Sequence, residues 1–495
     1  MQGAVSYLVQ FLSYVALTRI LTPVEIGKLP LLVATMAVFG AITSLSLQVA
    51  VTKFVSQYAG AGRSDRALGV VSAAIKLVGA VSIPVLILMT AFSQQLSGFV
   101  FGSTADTSLL TLAIVASVIS SFGAVIVGLL WGLNLFGAMV ASNLTGIVMG
   151  RVFGILLAWA GLRLPGFIVG WVIGAFSGLA VALAYARPHL KKPSPHVASK
   201  VLLEYSYPIL LANSIALVQS WADVTILYAL TRSLAYAGVY YLGLAGASIL
   251  SPIAGSLAGA IFPTLSARFG GDDAQAFKDA LRVCQRVLNL LVIPVGFALG
   301  AVAGTAVTVA YGGAYLEARL PFAILIASSI IPAYQVLMTT TLQAIGRTQP
   351  LMRITAAAAV TEVVLTVALV PPLNVTGSAI ARLGMSIVAV VLTYVSVKGD
   401  WWPSMDRSSL GKSLIVSVLV GMILLVFDTL IASNLPVTPL SRLVLDGVIF
   451  LLVYAVALVI LKPLLPEDID LSSVALPSKL RGLLHLVDNW AVMSE

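Results

Sequence analysis

Few residues in this chain are of a type that does chemistry, and they stand in unusual surroundings. Lys76, Arg151 and Arg382, with the carboxylates Asp223 and Glu362, lie inside long apolar stretches, while Arg19 and Lys53 stand at the ends of two more. An ionisable group at the centre of a membrane helix costs roughly 2.5 to 3.5 kcal/mol on insertion scales, which makes each a functional candidate by default. Lysine offers a point charge, whereas arginine presents a planar fork that can grip two oxygens at once. The carboxylates can carry a proton or a sodium ion.

Catalytic and metal-binding sets are not expected. Cys284 is the only cysteine, which excludes an intrachain disulfide and a cysteine-built metal site, and the three histidines, His189, His196 and His485, fall outside the apolar stretches. Asp468-Ile-Asp470 has the D-x-D spacing of a metal–diphosphate site. It stands in a short tail without room for a nucleotide-binding domain and reads as a helix-capping turn. The chain is therefore expected not to be an enzyme, with neither a cofactor nor a resident metal.

The elements that position these groups follow from composition. Apolar residues make up 59% of the chain and charged residues 9%, against roughly 25% charged in a soluble domain. A helix needs about 20 apolar residues to span hydrocarbon. Fourteen candidate spans meet that need, at about 2–19, 29–50, 68–92, 109–131, 139–160, 166–185, 206–230, 236–258, 287–311, 320–342, 351–371, 377–397, 410–432 and 440–461. The fold class is an all-α integral membrane protein. The first span lacks a basic leader and a small-residue cleavage site, so it is read as retained.

Cytoplasmic loops carry the excess of lysine and arginine. With the N-terminus inside, inner loops and tail hold nineteen of the 28 basic residues, and outer loops hold six: Arg19, Lys28, Arg163, Arg232, Arg319 and Arg442. Both termini are expected in the cytoplasm, and this topology explains the net charge of +9 without a nucleic acid partner. The Asn374-Val375-Thr376 triplet, in a short outer loop, reads as a turn rather than a glycan site. Around Asp272 and Asp273 a helix start is followed by Phe277, Leu281 and Cys284 at helical spacing, an amphipathic lead-in to the ninth span.

A repeat organises the spans. Ser56-x-x-x-Gly60 followed by Ile83-Pro84-Val85 recurs 210 residues later as Ser266-x-x-x-Gly270 followed by Ile293-Pro294-Val295, with serine and proline 28 apart in both copies. The copies are six spans apart and cross the membrane in the same direction, so a pseudo-twofold axis along the membrane normal is expected. The domains are then an N-lobe over 1–185 (spans 1 to 6), a basic linker at 186–205, a C-lobe over 206–400 (spans 7 to 12), two added spans in 401–461, and a tail, 462–495, with an interfacial amphipathic helix. Pro84 and Pro294, deep in spans 3 and 9, can bend them. The first lobe holds basic groups and no carboxylate within spans 2 to 6. Asp223 and Glu362 lie in the second.

Arg19-Ile-Leu-Thr-Pro-Val-Glu-Ile-Gly27 resembles the A-R-x-L-G-P-x-x-Y-G stretch of polysaccharide flippases in the multidrug/oligosaccharidyl-lipid/polysaccharide exporter superfamily, with Thr22 and Ile26 replacing the glycine and the aromatic. Gln48 to Tyr58, Gly238-Val-Tyr240, Phe262-Pro-Thr-Leu265, Tyr311-Gly-Gly-Ala-Tyr315, Leu342 to Arg347 and Thr376-Gly-Ser-Ala379 follow in that family's order, and Asp223 stands at the place of its membrane aspartate. The resemblance implies a plasma-membrane flippase moving a polyprenyl phosphate or diphosphate sugar from inner to outer leaflet by alternating access, alongside glycan-assembly enzymes. The cations Arg151, Arg19, Lys53 and Lys76 are then expected to bind the head-group phosphate, with Arg151 foremost, and Asp223 or Glu362 to carry a coupling proton or sodium ion. Asn134, Asn143, Asn213, Tyr205, Trp221 and Tyr240 are candidate sugar contacts. The same superfamily allows an alternative, a cation-coupled exporter of organic cations, which should present carboxylates without surplus central arginine and lysine.

Overall fold

A computed structural model describes residues 2–61, 64–190, 198–347, 349–399, 401–402, 407–434 and 438–461. The expected tail helix, Asp468-Ile-Asp470, His196, His485 and the middle of the basic linker lie outside the described residues. Every described element is helical, and eleven stretches are long and apolar enough to cross a membrane. Two of those stretches, Phe136–His189 with 54 residues and Gln349–Val397 with 49, would run far beyond a hydrocarbon core of about 30 Å if straight at about 1.5 Å per residue. Each folds back on itself. The first turns at Gly161 and Arg163, the second at Asn374, all with positive φ, so the expected turn at Asn374 is a hairpin bend between two helical limbs. Large apolar side chains such as Phe99, Ile87 and Leu451 stand exposed, as lipid-facing positions should.

The chain packs as two compact units, Met1–Tyr228 with Arg232–Gly238, and Ala229–Thr231 with Val239–Glu495. Unit 1 carries α1 (Gln2–Leu17), α2 (Pro23–Ser44), α3 (Leu47–Gly60), α4 (Ser64–Ala91), α5 (Ser93–Phe101), α6 (Thr107–Gly132), α7 (Phe136–Leu157), α8 (Arg163–Ala186) and most of α9 (Ser199–Thr231). The repeat counts α9 as the opening span of the second lobe, yet it packs with unit 1. Leu202 joins the core of α3, α4 and α6, and Asn213 Nδ2 donates to Ser46 Oγ at 3.2 Å.

The flippase-like motif around Thr22 is the start of α2. Pro23 occupies its first position, where a missing N–H costs nothing, Thr22 Oγ1 accepts from Glu25 N at 3.3 Å, and Glu25 Oε2 accepts from Thr22 N at 2.9 Å. Gly27 lets α2 touch α10 (Leu234–Ala247): a Cβ there would collide with the Leu234 carbonyl, and one on Gly238 would fall 2.9 Å from Gly27 N. Two motifs 211 positions apart in the sequence thus form one close helix contact. Ser56 of the repeat frame has a packing role too, its hydroxyl donating to the Gly132 carbonyl of α6 at 3.0 Å.

Unit 2 continues with α11 (Ser251–Gly270), α12 (Ala274–Ala301), α13 (Ala303–Tyr311), α14 (Arg319–Ala344), α15 (the Gln349–Val397 hairpin), α16 (Arg407–Asn434) and α17 (Pro439–Leu461). Helix lengths recur between the copies of the repeat: 28 residues in α4 and α12, nine in α5 and α13, 26 in α6 and α14. Pro84 and Pro294 sit inside unbroken helix, and the interruptions come eight residues later, at Phe92 and Val302. The lead-in at 272–284 is the first part of α12. Asp273 caps it by accepting from Ala276 N at 3.1 Å, and Phe277, Leu281 and Cys284 are fully buried.

Candidate functional site

The site of interest is in unit 1 and is built by glycine. On α7 Gly146, Gly150 and Gly154 recur every fourth residue, and on α8 Gly166, Gly170, Gly174 and Gly178 do the same, which puts each set in one stripe along its helix. The stripes face each other. A Cβ on Gly170 would collide with Gly154, one on Gly174 with the Gly146 carbonyl, and one on Gly150 would lie 3.2 Å from the Gly170 carbonyl. Small residues let membrane helices approach backbone to backbone, and α7 and α8 do so over the length of the hairpin. Ser142 Oγ closes the far end, donating to the Gly178 carbonyl at 2.7 Å.

Arg151 follows Gly150 directly, about 100° round the helix from the stripe. Its guanidinium meets three rings, Tyr14 of α1 at 5.4 Å and Phe167 and Trp171 of α8 at 5.3 and 5.9 Å from the ring centroids. Such contacts are worth about 0.5 to 2 kcal/mol each, rising with desolvation. Nη1 is buried without a hydrogen-bond acceptor, and Arg151 makes no ion pair among the described residues. Aromatic faces hold the cation in place while leaving its donors unspent.

Two hollows share that guanidinium. One, of about 450 Å³, is lined by polar groups from five helices: Gln10 of α1, Gln48 of α3, Ser120 of α6, Asn143 of α7, and Trp171 and the glycines of α8. The other, of about 440 Å³, shares Ser120, Ala124, Arg151 and Trp171 and extends over Val33, Met36 and Ala37 of α2. No aspartate or glutamate lines either hollow. An arginine between a polar pocket and a more apolar one can bind an anion that carries hydroxyl groups on one side and hydrocarbon on the other.

The other expected cations do not line these hollows. Lys53 is exposed midway along α3, with its ammonium 3.8 Å above the Tyr205 ring. Lys76 is exposed on α4, and Arg19 is exposed just beyond α1. Asp223 is fully buried on α9, its Oδ1 accepting from Val224 N at 2.7 Å. Glu362 is fully buried and paired, with Arg382 Nη1 3.0 Å from Oε1 across the α15 hairpin. Of the candidate sugar contacts, Asn143 lines the polar hollow, whereas Asn134 forms the turn into α7 and Tyr240 is packed in the core. Gln10, Gln48, Trp171 and the glycine stripes were missed. Their signals were present, as lone glutamines within apolar spans and glycine at every fourth position.

The family model described as "Polysaccharide biosynthesis protein" matches residues 16–320, a stretch containing Arg151 and the glycine stripes of α7 and α8. The chain belongs to this family. A relative in Haloferax volcanii, "Probable low-salt glycan biosynthesis flippase Agl15", is 25% identical over 433 residues, covering 86% of this chain and 87% of the relative. Among solved structures, "Lipid II flippase MurJ, inward closed conformation" superposes with a TM-score of 0.71 at 14% identity, covering 93% of this chain and 97% of that one. An inward-facing multidrug resistance MATE family transporter of the MOP superfamily gives 0.67 at 14% identity, covering 82% and 96%. This polysaccharide biosynthesis protein therefore has the helical fold of the flippases and exporters of that superfamily, as the residue resemblance implied.

Proposed function

We propose that this protein flips a lipid-linked oligosaccharide, a polyprenyl phosphate or diphosphate sugar, from the inner to the outer leaflet of the plasma membrane. In this reading twelve of the fourteen spans form two six-helix lobes about a pseudo-twofold axis with two spans added at the end, both termini face the cytoplasm, and glycan-assembly enzymes supply and consume the substrate. The matching helix lengths on either side of the repeat support that arrangement.

The observation that carries the proposal is Arg151, a ring-walled guanidinium with a buried unspent donor between a polar and an apolar hollow. A phosphate on Arg151 would leave the sugar against Gln10, Gln48 and Asn143 and the isoprenoid toward α2. Arginine suits this because its fork grips two phosphate oxygens and keeps its charge at any working pH. The exporter of organic cations fits less well, since a cation needs a carboxylate at the pocket wall and neither hollow has one. For coupling to a proton or sodium gradient, Asp223 and Glu362, both fully buried at membrane depth, are the candidates.

Proteoliposomes loaded with a labelled polyprenyl-diphosphate sugar test the reading. Wild type should translocate the label and Arg151→Ala should not, while normal transport by Arg151→Ala would end the phosphate assignment. Asp223→Asn should change the dependence on the pH or sodium gradient, and an unchanged dependence removes it as the coupling site.

A further inference from the structure

A second buried set of charges lies in unit 2, on the two helices that have no counterpart in the repeat. Asp428 of α16 is 7% exposed and Asp446 of α17 is 2% exposed. Around them the packing is apolar, with Ala298 and Val302 at the end of α12 against Val416, Val420 and Leu424 of α16. Asp428 is well served: Thr305 of α13 donates to its Oδ1 at 2.7 Å, Arg442 Nε lies 2.5 Å from the same oxygen, and Arg442 Nη2 donates to its backbone carbonyl. Asp446, one turn beyond Arg442, has both carboxylate oxygens buried without a hydrogen-bond partner.

The charges do not balance. Two carboxylates share one guanidinium, and that guanidinium is turned to Asp428. Among the described residues, the charged groups in electrostatic reach of Asp446 are Asp428 and Arg442. From the helices packed nearby, α13 supplies the Thr305 hydroxyl on Asp428, the Arg319 stem lies beside Gly304, and this end of α12 supplies apolar side chains. A bare carboxylate buried in apolar surroundings costs several kcal/mol and is relieved by a proton or by a partner. A sodium ion fits poorly. It needs several oxygen ligands, the near oxygen of Asp428 is already taken by Arg442 and Thr305, and the guanidinium repels a second cation.

We propose that Asp446 is a proton-binding site in the α16–α17 hairpin, loaded while Arg442 pairs with Asp428 and unloaded when Arg442 turns to Asp446. Residues four apart on one helix are neighbours, so Arg442 can reach either acid by a change of side-chain rotamer. One proton then decides which helix the arginine clamps.

Infrared difference spectroscopy of the purified full-length protein in lipid reads this directly. Wild type at mildly acidic pH should show the carbonyl stretch of a protonated carboxylic acid that shifts on deuteration and on ¹³C-aspartate labelling and fades reversibly as pH rises. Asp446→Asn should lose that band. Asp428→Asn should lose it too, because Arg442 is then released to ionise Asp446. The proposal is overturned if Asp446→Asn retains the full band, if Asp428→Asn leaves it unchanged, or if sodium at constant pH removes it from wild type. Should Asp446→Asn fail to fold, the isotope shift and pH titration of wild type still decide, since a wild-type spectrum with no titrating aspartic acid band also overturns it.

Discussion

Arg151 and Arg382 are both arginines within membrane-spanning helices, one in each unit, and they are held in opposite ways. Arg382 meets the fully buried Glu362 at 3.0 Å, closing the two limbs of α15 with an ion pair. Among the described residues Arg151 meets ring faces and no carboxylate, and it keeps a buried donor unspent beside two hollows. A cation whose charge is cancelled by its neighbour holds helices together. One that is steadied without being neutralised retains its affinity for an anion. The comparison teaches that charge at membrane depth is only half of a binding signal, and that the nature of the partner is the other half.

The largest effect that would break this contrast is on Arg151 itself. Arg151→Ala should abolish translocation, at a stability cost set by its three lost ring contacts of about 0.5 to 2 kcal/mol each, while Arg151→Lys should retain part of the transport, keeping the charge but losing the two-oxygen grip. Next comes Glu362→Leu, which removes the carboxylate 3.0 Å from Arg382 and should destabilise by about 3 to 5 kcal/mol, as expected for breaking a buried pair. The double change Glu362→Leu with Arg382→Met should recover most of that, read as the melting temperature of the purified protein, whereas no recovery would mean that the pair is not what stabilises α15. Smaller is Gly170→Ala, whose new methyl meets Gly154; forcing extra volume into a tight contact costs about 1 to 3 kcal/mol. Gly137→Ala, where the added Cβ meets nothing within 4 Å, is the matched control and should leave the melting temperature unchanged. Smallest are Lys53→Ala and Lys76→Ala. Both lysines are exposed and neither lines a hollow, and transport within scatter of wild type is expected; a loss as large as that of Arg151→Ala would support the four-cation phosphate site read from the sequence.

Much of the fold was legible because its causes are local. Apolar runs of about 20 residues locate the spans, Thr-Pro-x-Glu starts a helix by capping chemistry, and the serine–glycine–proline frame marks two stretches whose helix lengths match. Arg151 stands out in the sequence as well, since no other arginine stands so deep in the first half, and it lines both hollows. What surrounds it is not legible in the same way. Lys53 and Lys76 carry the same charge, but which residues line a hollow depends on helix packing, and neither lysine is among the lining residues. Pairing of Glu362 with Arg382 depends on the bend at Asn374, which places residues 20 apart in sequence side by side. The glycine stripes of α7 and α8 were written plainly in the sequence, yet their meaning is a contact between two helices rather than a property of either.

Native mass spectrometry of the detergent-purified protein, comparing wild type with Arg151→Ala, is the most direct test of the central claim. We expect a polyprenyl-phosphate or -diphosphate sugar to copurify with wild type and to be absent from the variant, with both proteins equally folded. The same lipid retained at equal occupancy by Arg151→Ala, or saturable binding of organic cations with no polyprenyl lipid in either protein, would contradict it.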